Sequence, residues 1–488
     1  MKKSTSILLL SFFVSIVLVA QEKNKIGITS SNDIVIDNKN YATLKGIIEV
    51  PEDYQNQNSR KIQLPIYIVK SSNKNPTEPI FWLDGGPGAS NILSESKIIS
   101  ANPSKLLDNH DLVCIGYRGV DGSTILKSKK VNKALKGLHS KLLSDQSLNN
   151  IEEKIKEYQT QLQKKDIDIN NYTILDVIED LEMVRKQQGY KKINILSVSY
   201  GTRVALLYSY KYPEVLERTV MIGANPPGHF IWYPEKTEEI LAKYDSLYKN
   251  QYIVDYKGSI KEIMKKSFDN MPNKWSVFKL DADKIKVGTF QALFSKDMAG
   301  IVFEAYNRAV NNKDYSYLFL LQKMVDMENS GTVFGEMSSK GVSADFKQEI
   351  DYRKTLDGNN TILGGNISKL YWGVANAWQM KLIPEEYRKC RETLAETLVI
   401  SGDLDISTPS DYARNELMPH LKNGHIIILK NMSHSDIFIK TMMTPDFLSD
   451  YFDKGSINNE SLNTPDSVDF KPTMKFSKSQ IFIMGLIK

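Results

Sequence analysis

Short, largely apolar runs recur along the chain with helix-forming or turn-forming stretches between them, and this alternation constrains the fold more than any other property. Residues 44–50 and 64–69 predict an early antiparallel pair of strands. Residues 79–83, 112–115, 193–196, 220–222, 397–400 and 426–429 predict strands buried on both faces, because they are short and mostly apolar instead of alternating. Such strands need helices over both faces of the sheet. The expected class is therefore α/β, a mostly parallel central sheet flanked by helices. Residues 172–188 supply one such helix, with Ile174, Val177, Ile178, Leu181 and Val184 at helical spacing.

Composition excludes several classes. The formal net charge is +5, but the 63 basic and 58 acidic residues are mixed along the chain, so no basic stripe marks nucleic acid as a partner. Two cysteines, Cys114 and Cys390, have no partners at metal-ligand spacing, which predicts neither a zinc site nor a disulfide framework and leaves a single bridge between them open. At the N-terminus, Lys2 and Lys3 precede an uncharged apolar stretch over 7–20, followed by Gln21, Glu22 and Lys23. This is the pattern of a signal peptide over 1–20, too short to span a bilayer comfortably. Ala20 suits cleavage and Leu18 does not. A secreted or periplasmic protein without a stable membrane span is expected.

The run Ser197-Val198-Ser199-Tyr200-Gly201-Thr202 follows the apolar run 193–196 and precedes a helical pattern over 203–210. It fits the nucleophile elbow G-x-S-x-G with Ser197 at the first glycine. Small neighbours are needed because the nucleophile sits on a sharp, strained turn. Upstream, Asp84-Gly85-Gly86-Pro87-Gly88 follows another predicted strand. Glycines there let backbone amides approach a ligand, so Gly85 and Gly86 are candidate oxyanion-hole donors together with the Tyr200 amide.

These motifs, in this order, resemble the proline iminopeptidase and tripeptidyl aminopeptidase group of α/β-hydrolases. The likeness is clearest over 79–228, where Tyr117-Arg118-Gly119-Val120-Asp121-Gly122-Ser123 and the acidic pre-elbow helix with Asp180, Glu182 and Arg185 match the group's pattern. Asp84 stands where histidine or proline is common, and Gly116 where aspartate is common. The resemblance implies the order serine, acid, histidine. Ser401-Gly402-Asp403-Leu404-Asp405-Ile406-Ser407-Thr408-Pro409 then offers Asp405 as the acid, with Asp403 as competitor. After the last predicted strand, Asn431-Met432-Ser433-His434 offers His434 as the base; of the six histidines, His110, His139, His229, His420 and His425 fit the order less well.

The segment 225–375 interrupts the strand pattern and resembles a helical cap between a first core part, 21–224, and a second, 376–488. Trp232, Tyr233, Phe303, Tyr306, Trp372 and Trp378 are candidates for its apolar wall. The group's aminopeptidases use carboxylates to hold the substrate ammonium, and Glu235, Glu238, Glu239 and Glu304 are available for that, with Trp232 beside them. Residues 126–168 predict one or two exposed helices, and the tail after Asp453 carries no functional signal. The expected activity is that of an exported serine hydrolase without cofactor or metal, acting as an aminopeptidase on short peptides. A carboxylesterase for apolar esters is the alternative, and a catalytically silent binding protein the alternative of another class.

Overall fold

The computed structural model describes residues 27–486 apart from 31, 138–140, 252–257 and 465, so the predicted leader 1–20 and His139 lie outside the described residues. Ten strands form one sheet. They are β1 (Gly27–Ser30), β2 (Asp33–Ile36), β3 (Lys39–Pro51), β4 (Lys61–Val69), β5 (Ile80–Leu83), β6 (Leu112–Ile115), β7 (Ile193–Val198), β8 (Leu216–Ile222), β9 (Glu396–Gly402) and β10 (Gly424–Leu429). The spatial order is β1-β3-β4-β6-β5-β7-β8-β9-β10, with β2 paired to β3. From β6 to β10 every neighbour is parallel, and β1 to β4 form an antiparallel edge. All eight strands expected from the sequence are present; β1 and β2, four residues each, were too short to carry a pattern.

The parallel strands are apolar over most of their length because both faces of the sheet's centre are covered, and buried polar residues within them, such as Asn194 and Ser197, are hydrogen-bonded. Along β7, Ile195 packs into one core while Leu196 and Val198 pack into the other, and along β5 Phe81 and Leu83 oppose Ile80 and Trp82. The helix before β7 runs Ile174–Gln188, closed by a Thr173/Asp176 capping box and ended by Gly189 in the left-handed region. Arg118 is fully buried; it donates to Asp180 at 2.6 and 2.7 Å and to the carbonyls of Pro51, Glu52 and Asn171, which binds this helix to the antiparallel edge. The helix Asp145–Gln163, expected to be exposed, buries Leu148, Ile151, Ile155 and Leu162 against the core.

Between β8 and β9 the chain adds no strand to the main sheet among the described residues. It forms the helices Pro234–Lys249, Ile260–Asp269, Ala282–Ala292, Lys296–Asn312, Ser316–Gly331, Phe334–Asp345 and Asn366–Trp372. Tyr244, Tyr248, Phe303 and Tyr306 are buried inside this insertion, and Phe470 from the C-terminal tail packs 4.9 Å from Phe303, ring to ring. The tail is thus part of the insertion's core. A buried ion pair between Arg203 and Asp345, 3.1 Å apart, joins the insertion to the helix that follows β7, and Asp345 also accepts the amides of Gly228 and Phe230. Cys114 and Cys390 are both free thiols, so the bridge left open by the sequence does not form.

Candidate active site

The elbow forms where β7 ends. Ser199 has φ 51° and ψ −120°, a strained conformation for a residue with a side chain, and the helix Tyr200–Lys211 begins directly after it. A Cβ at Gly201 would overlap the Leu83 carbonyl, so glycine is required for the helix to pass β5 this closely. Serine is tolerated at position 197 because its buried hydroxyl donates to the Val220 carbonyl at 2.8 Å. The Ser199 amide donates to the Ile222 carbonyl at 2.8 Å.

Beyond β9, Asp405 is completely buried and engaged by four donors. Its Oδ1 accepts the amides of Ser407 and Thr408, both at 2.8 Å; its Oδ2 accepts the Thr408 hydroxyl at 2.7 Å and meets His434 Nδ1 at 2.8 Å. Burial by itself would raise the Asp405 pKa, but the His434 imidazole and the hydrogen bonds from His434 and Thr408 outweigh it and hold the carboxyl below the usual range. Asp403 makes no contact of this kind; burial raises its pKa and its Oδ1 has no hydrogen-bond partner. Of the two aspartates, Asp405 is the one that meets the histidine. His434 opens the helix His434–Met442, whose start is held by a Ser433/Asp436 capping box. Behind it, a Cβ at Gly223 would lie 3.1 Å from His434 Cε1, so the ring packs directly on the end of β8.

The glycine loop faces the elbow: a Cβ at Gly85 would lie 3.1 Å from Ser199 Cβ. The Gly85 amide, however, donates to Asp84 Oδ1 at 2.7 Å and is not available to an oxyanion. Gly86, at φ 135°, lines the same pocket and its amide donates to no group among the described residues, which leaves Gly86 and Tyr200 as the candidate donors. This narrows the pair expected from the sequence. Asp84, the departure from the group's usual residue, is what occupies the Gly85 amide.

A pocket of about 850 Å³ joins these groups, lined by Ser199, Tyr200, Gly86 and His434 on the core side. Trp232, Phe294, Met337, Tyr371 and Trp372 line it from the insertion. Trp232 and Trp372 stand where a pocket wall was expected, whereas Tyr233, Phe303, Tyr306 and Trp378 do not line it. None of the four expected carboxylates reaches it either. Glu238 pairs with Lys261 at 2.5 Å, Glu239 with Lys236, Glu304 with Arg308 at 2.6 Å, and Glu235 is exposed outside the pocket. Helical position alone does not say which face of a cap helix looks inward. Glu328, which the sequence reading passed over, does line the pocket, next to Gln291. Although Glu328 is exposed in the free protein, enough protein surrounds its carboxyl to push the pKa up, opposed by a hydrogen bond from Gln291. It has no ion-pair partner among the described residues. No group of three or more metal-ligating side chains occurs among the described residues.

The family model for the alpha/beta hydrolase fold matches residues 78–416, most of the chain. The chain is an α/β-hydrolase. Among curated proteins, this α/β-hydrolase is 24% identical to a tripeptidyl aminopeptidase of Streptomyces coelicolor over 208 residues, covering 40% of this chain and 38% of that one. It is 26% identical to the serine protease Hip1 of Mycobacterium tuberculosis over 149 residues, covering 30% and 29% of the two chains. The α/β-hydrolase thus matches well under half the length of these serine peptidases, which are distant relatives. Among solved structures, proline iminopeptidase of Mycobacterium smegmatis aligns with TM-score 0.40 and 11% identity over 87% of this chain and 98% of that one. Homoserine O-acetyltransferase of Bacillus anthracis aligns with TM-score 0.42 and 12% identity over 86% and 99%. Among the described residues of the α/β-hydrolase, no helix is long and apolar enough to cross a membrane.

Proposed function

We propose that this α/β-hydrolase is an exported serine hydrolase that works as an aminopeptidase, with Ser199 as nucleophile, His434 as base and Asp405 as the group that orients His434. The observation that carries the reading is the strained Ser199 elbow opening into the same pocket as His434, which the buried Asp405 holds from behind. With Nδ1 engaged by Asp405, the other ring nitrogen of His434 is left to take the Ser199 proton as Oγ attacks a substrate carbonyl. The Gly86 and Tyr200 amides stabilise the oxyanion. Collapse expels the amine, protonated by His434, and leaves an acyl ester on Ser199; water activated by His434 then releases the acid.

Glu328 supports the choice of substrate. A carboxylate whose pKa is raised by its surroundings, beside a pocket and without an ion-pair partner among the described residues, gains a charge-assisted partner when a substrate's free ammonium binds. The apolar wall of Met337, Val342, Ile367 and Phe438 favours apolar residues in the acyl part, and equally supports the second reading, a carboxylesterase for apolar esters. Residues 1–20 are proposed to direct export, with 225–375 acting as a cap over the site.

The test is a panel of aminoacyl and tripeptidyl chromogenic amides, free and N-blocked, beside short-chain esters, with the mature chain and Ser199→Ala. Cleavage restricted to free-amine amides and abolished in the variant is expected. Ester turnover without amide turnover would move the protein to the carboxylesterases. A ligand bound equally by both chains, with no turnover, would make it a binding protein. Mass spectrometry of the exported chain checks removal of the leader.

A further inference from the structure

The glycine loop is not held by the core alone. Glu336, in the first turn of the insertion helix Phe334–Asp345, has no solvent exposure, and its Oε2 accepts the Gly88 amide at 2.6 Å. The helix packs directly onto the loop, since a Cβ at Gly88 would lie 3.3 Å from Met337 Cβ. Within the loop, a Cβ at Gly86 would lie 3.2 Å from the Gly88 nitrogen. Gly86 and Gly88 thus sit in one tight turn, so the position of one bears on the other.

The remaining contacts of Glu336 are too few to make it a simple structural anion. Its Oε1 lies 3.4 Å from Lys340 Nζ without forming a hydrogen bond, and Lys340, equally buried, donates instead to the Tyr172 carbonyl at 2.6 Å. Burial pushes the Glu336 pKa up, opposed by Lys340 and the Gly88 amide, and pushes the Lys340 pKa down. Buried pairs of this kind are often replaced by apolar side chains of similar volume without loss of stability. What apolar side chains would not supply is an acceptor for the Gly88 amide.

We propose that Glu336 is a positioning residue for the oxyanion hole: its carboxylate pins Gly88, and through it the Gly86 amide beside Ser199, so that the insertion holds part of the catalytic machinery in place. This rests on the serine-hydrolase reading above. It assigns the helix Phe334–Asp345 a role in the chemical step in addition to covering the pocket.

The test compares two double variants that both remove the buried charges and differ in whether an acceptor for Gly88 remains. Glu336→Gln/Lys340→Met keeps a side-chain carbonyl there; Glu336→Met/Lys340→Met does not. With the substrate that the wild-type chain turns over best, the first is expected to keep kcat within about threefold. The second should lose about tenfold to a hundredfold in kcat, with KM changed far less, because the lost positioning matters mainly in the transition state. The rate of Ser199 labelling by a fluorophosphonate should fall in parallel. Equal kcat in two folded double variants, judged by thermal unfolding, would overturn the inference. If the Met/Met chain does not fold, the Gln/Met chain decides alone: a loss beyond tenfold overturns it, retention supports it. A wild-type chain that the probe does not label at Ser199 overturns the hydrolase reading and this inference together, whereas a labelled wild-type chain with equal variants overturns this inference alone.

Discussion

The two sides of the pocket are built by different rules. On the core side, each group lies just past the end of a parallel strand: Ser199 after β7, Gly85 and Gly86 after β5, Asp405 after β9 and His434 after β10. On the insertion side, Trp232, Gln291, Glu328, Met337 and Trp372 come from separate helices and loops with no common motif. The difference teaches that the proposed chemistry is encoded locally, at strand ends where a short turn sets the geometry. Selectivity is assembled from residues that only packing brings together. The sides are nevertheless joined by hydrogen bonds: Trp232 Nε1 donates to the Ser407 carbonyl at 2.7 Å, and the Ser435 amide and Ser433 hydroxyl donate to the Phe294 carbonyl at 2.7 and 2.8 Å.

On that division, core-side changes should abolish turnover of every substrate, and changes to the insertion's pocket-lining residues should act selectively, with Glu336, which reaches the glycine loop instead of the pocket, acting on the chemical step. Ser199→Ala is expected to lower kcat by about 10⁵-fold or more for amides and esters alike while leaving the fold intact, measured by steady-state kinetics beside circular dichroism. Asp405→Asn should follow at about 10⁴-fold, since the imidazole loses the group that sets its tautomer. It should also change acid stability. The Asp405 pKa is held below its ordinary value in the fold, so its contribution is present at neutral pH and is lost as pH falls through the folded value. Denaturant titrations should therefore show wild-type and variant stabilities converging on acidification; a gap that stays constant would count against an ionised, paired Asp405.

On the insertion side, Glu328→Gln should cost about tenfold to a hundredfold in kcat/KM for free-amine substrates, mostly through KM, the scale of one charge-assisted hydrogen bond. N-blocked amides and esters should be nearly unaffected, and equal losses for both classes would break the comparison. Trp232→Phe should have the smallest effect, a few-fold in activity, because it removes one neutral hydrogen bond worth about 1 kcal/mol and keeps an aromatic wall.

Much of the core side was legible before the structure. The buried runs announced their strands because a strand covered on both faces is mostly apolar, and the elbow announced itself because small residues fit best beside a strained serine. The Gly85 amide was misjudged since its partner, Asp84 Oδ1, is a matter of side-chain rotamer. The four glutamates failed for a related reason: a helix pattern shows that a residue is off the apolar stripe without saying whether the polar face meets solvent, a lysine such as Lys261 or a pocket.

From the amino-acid sequence alone came the α/β class, the strand order in the chain and Ser199 at its short turn, while Asp405 and His434 became candidates through the triad order that the family resemblance implies. Tertiary structure alone decided that Asp405 and not Asp403 meets His434, that Glu328 faces the pocket, and that Glu336 holds Gly88 from 248 positions away. The physical reason is range. Backbone periodicity and turn chemistry act over a few residues, while a buried carboxylate finds its partner only once the whole insertion has packed against the sheet.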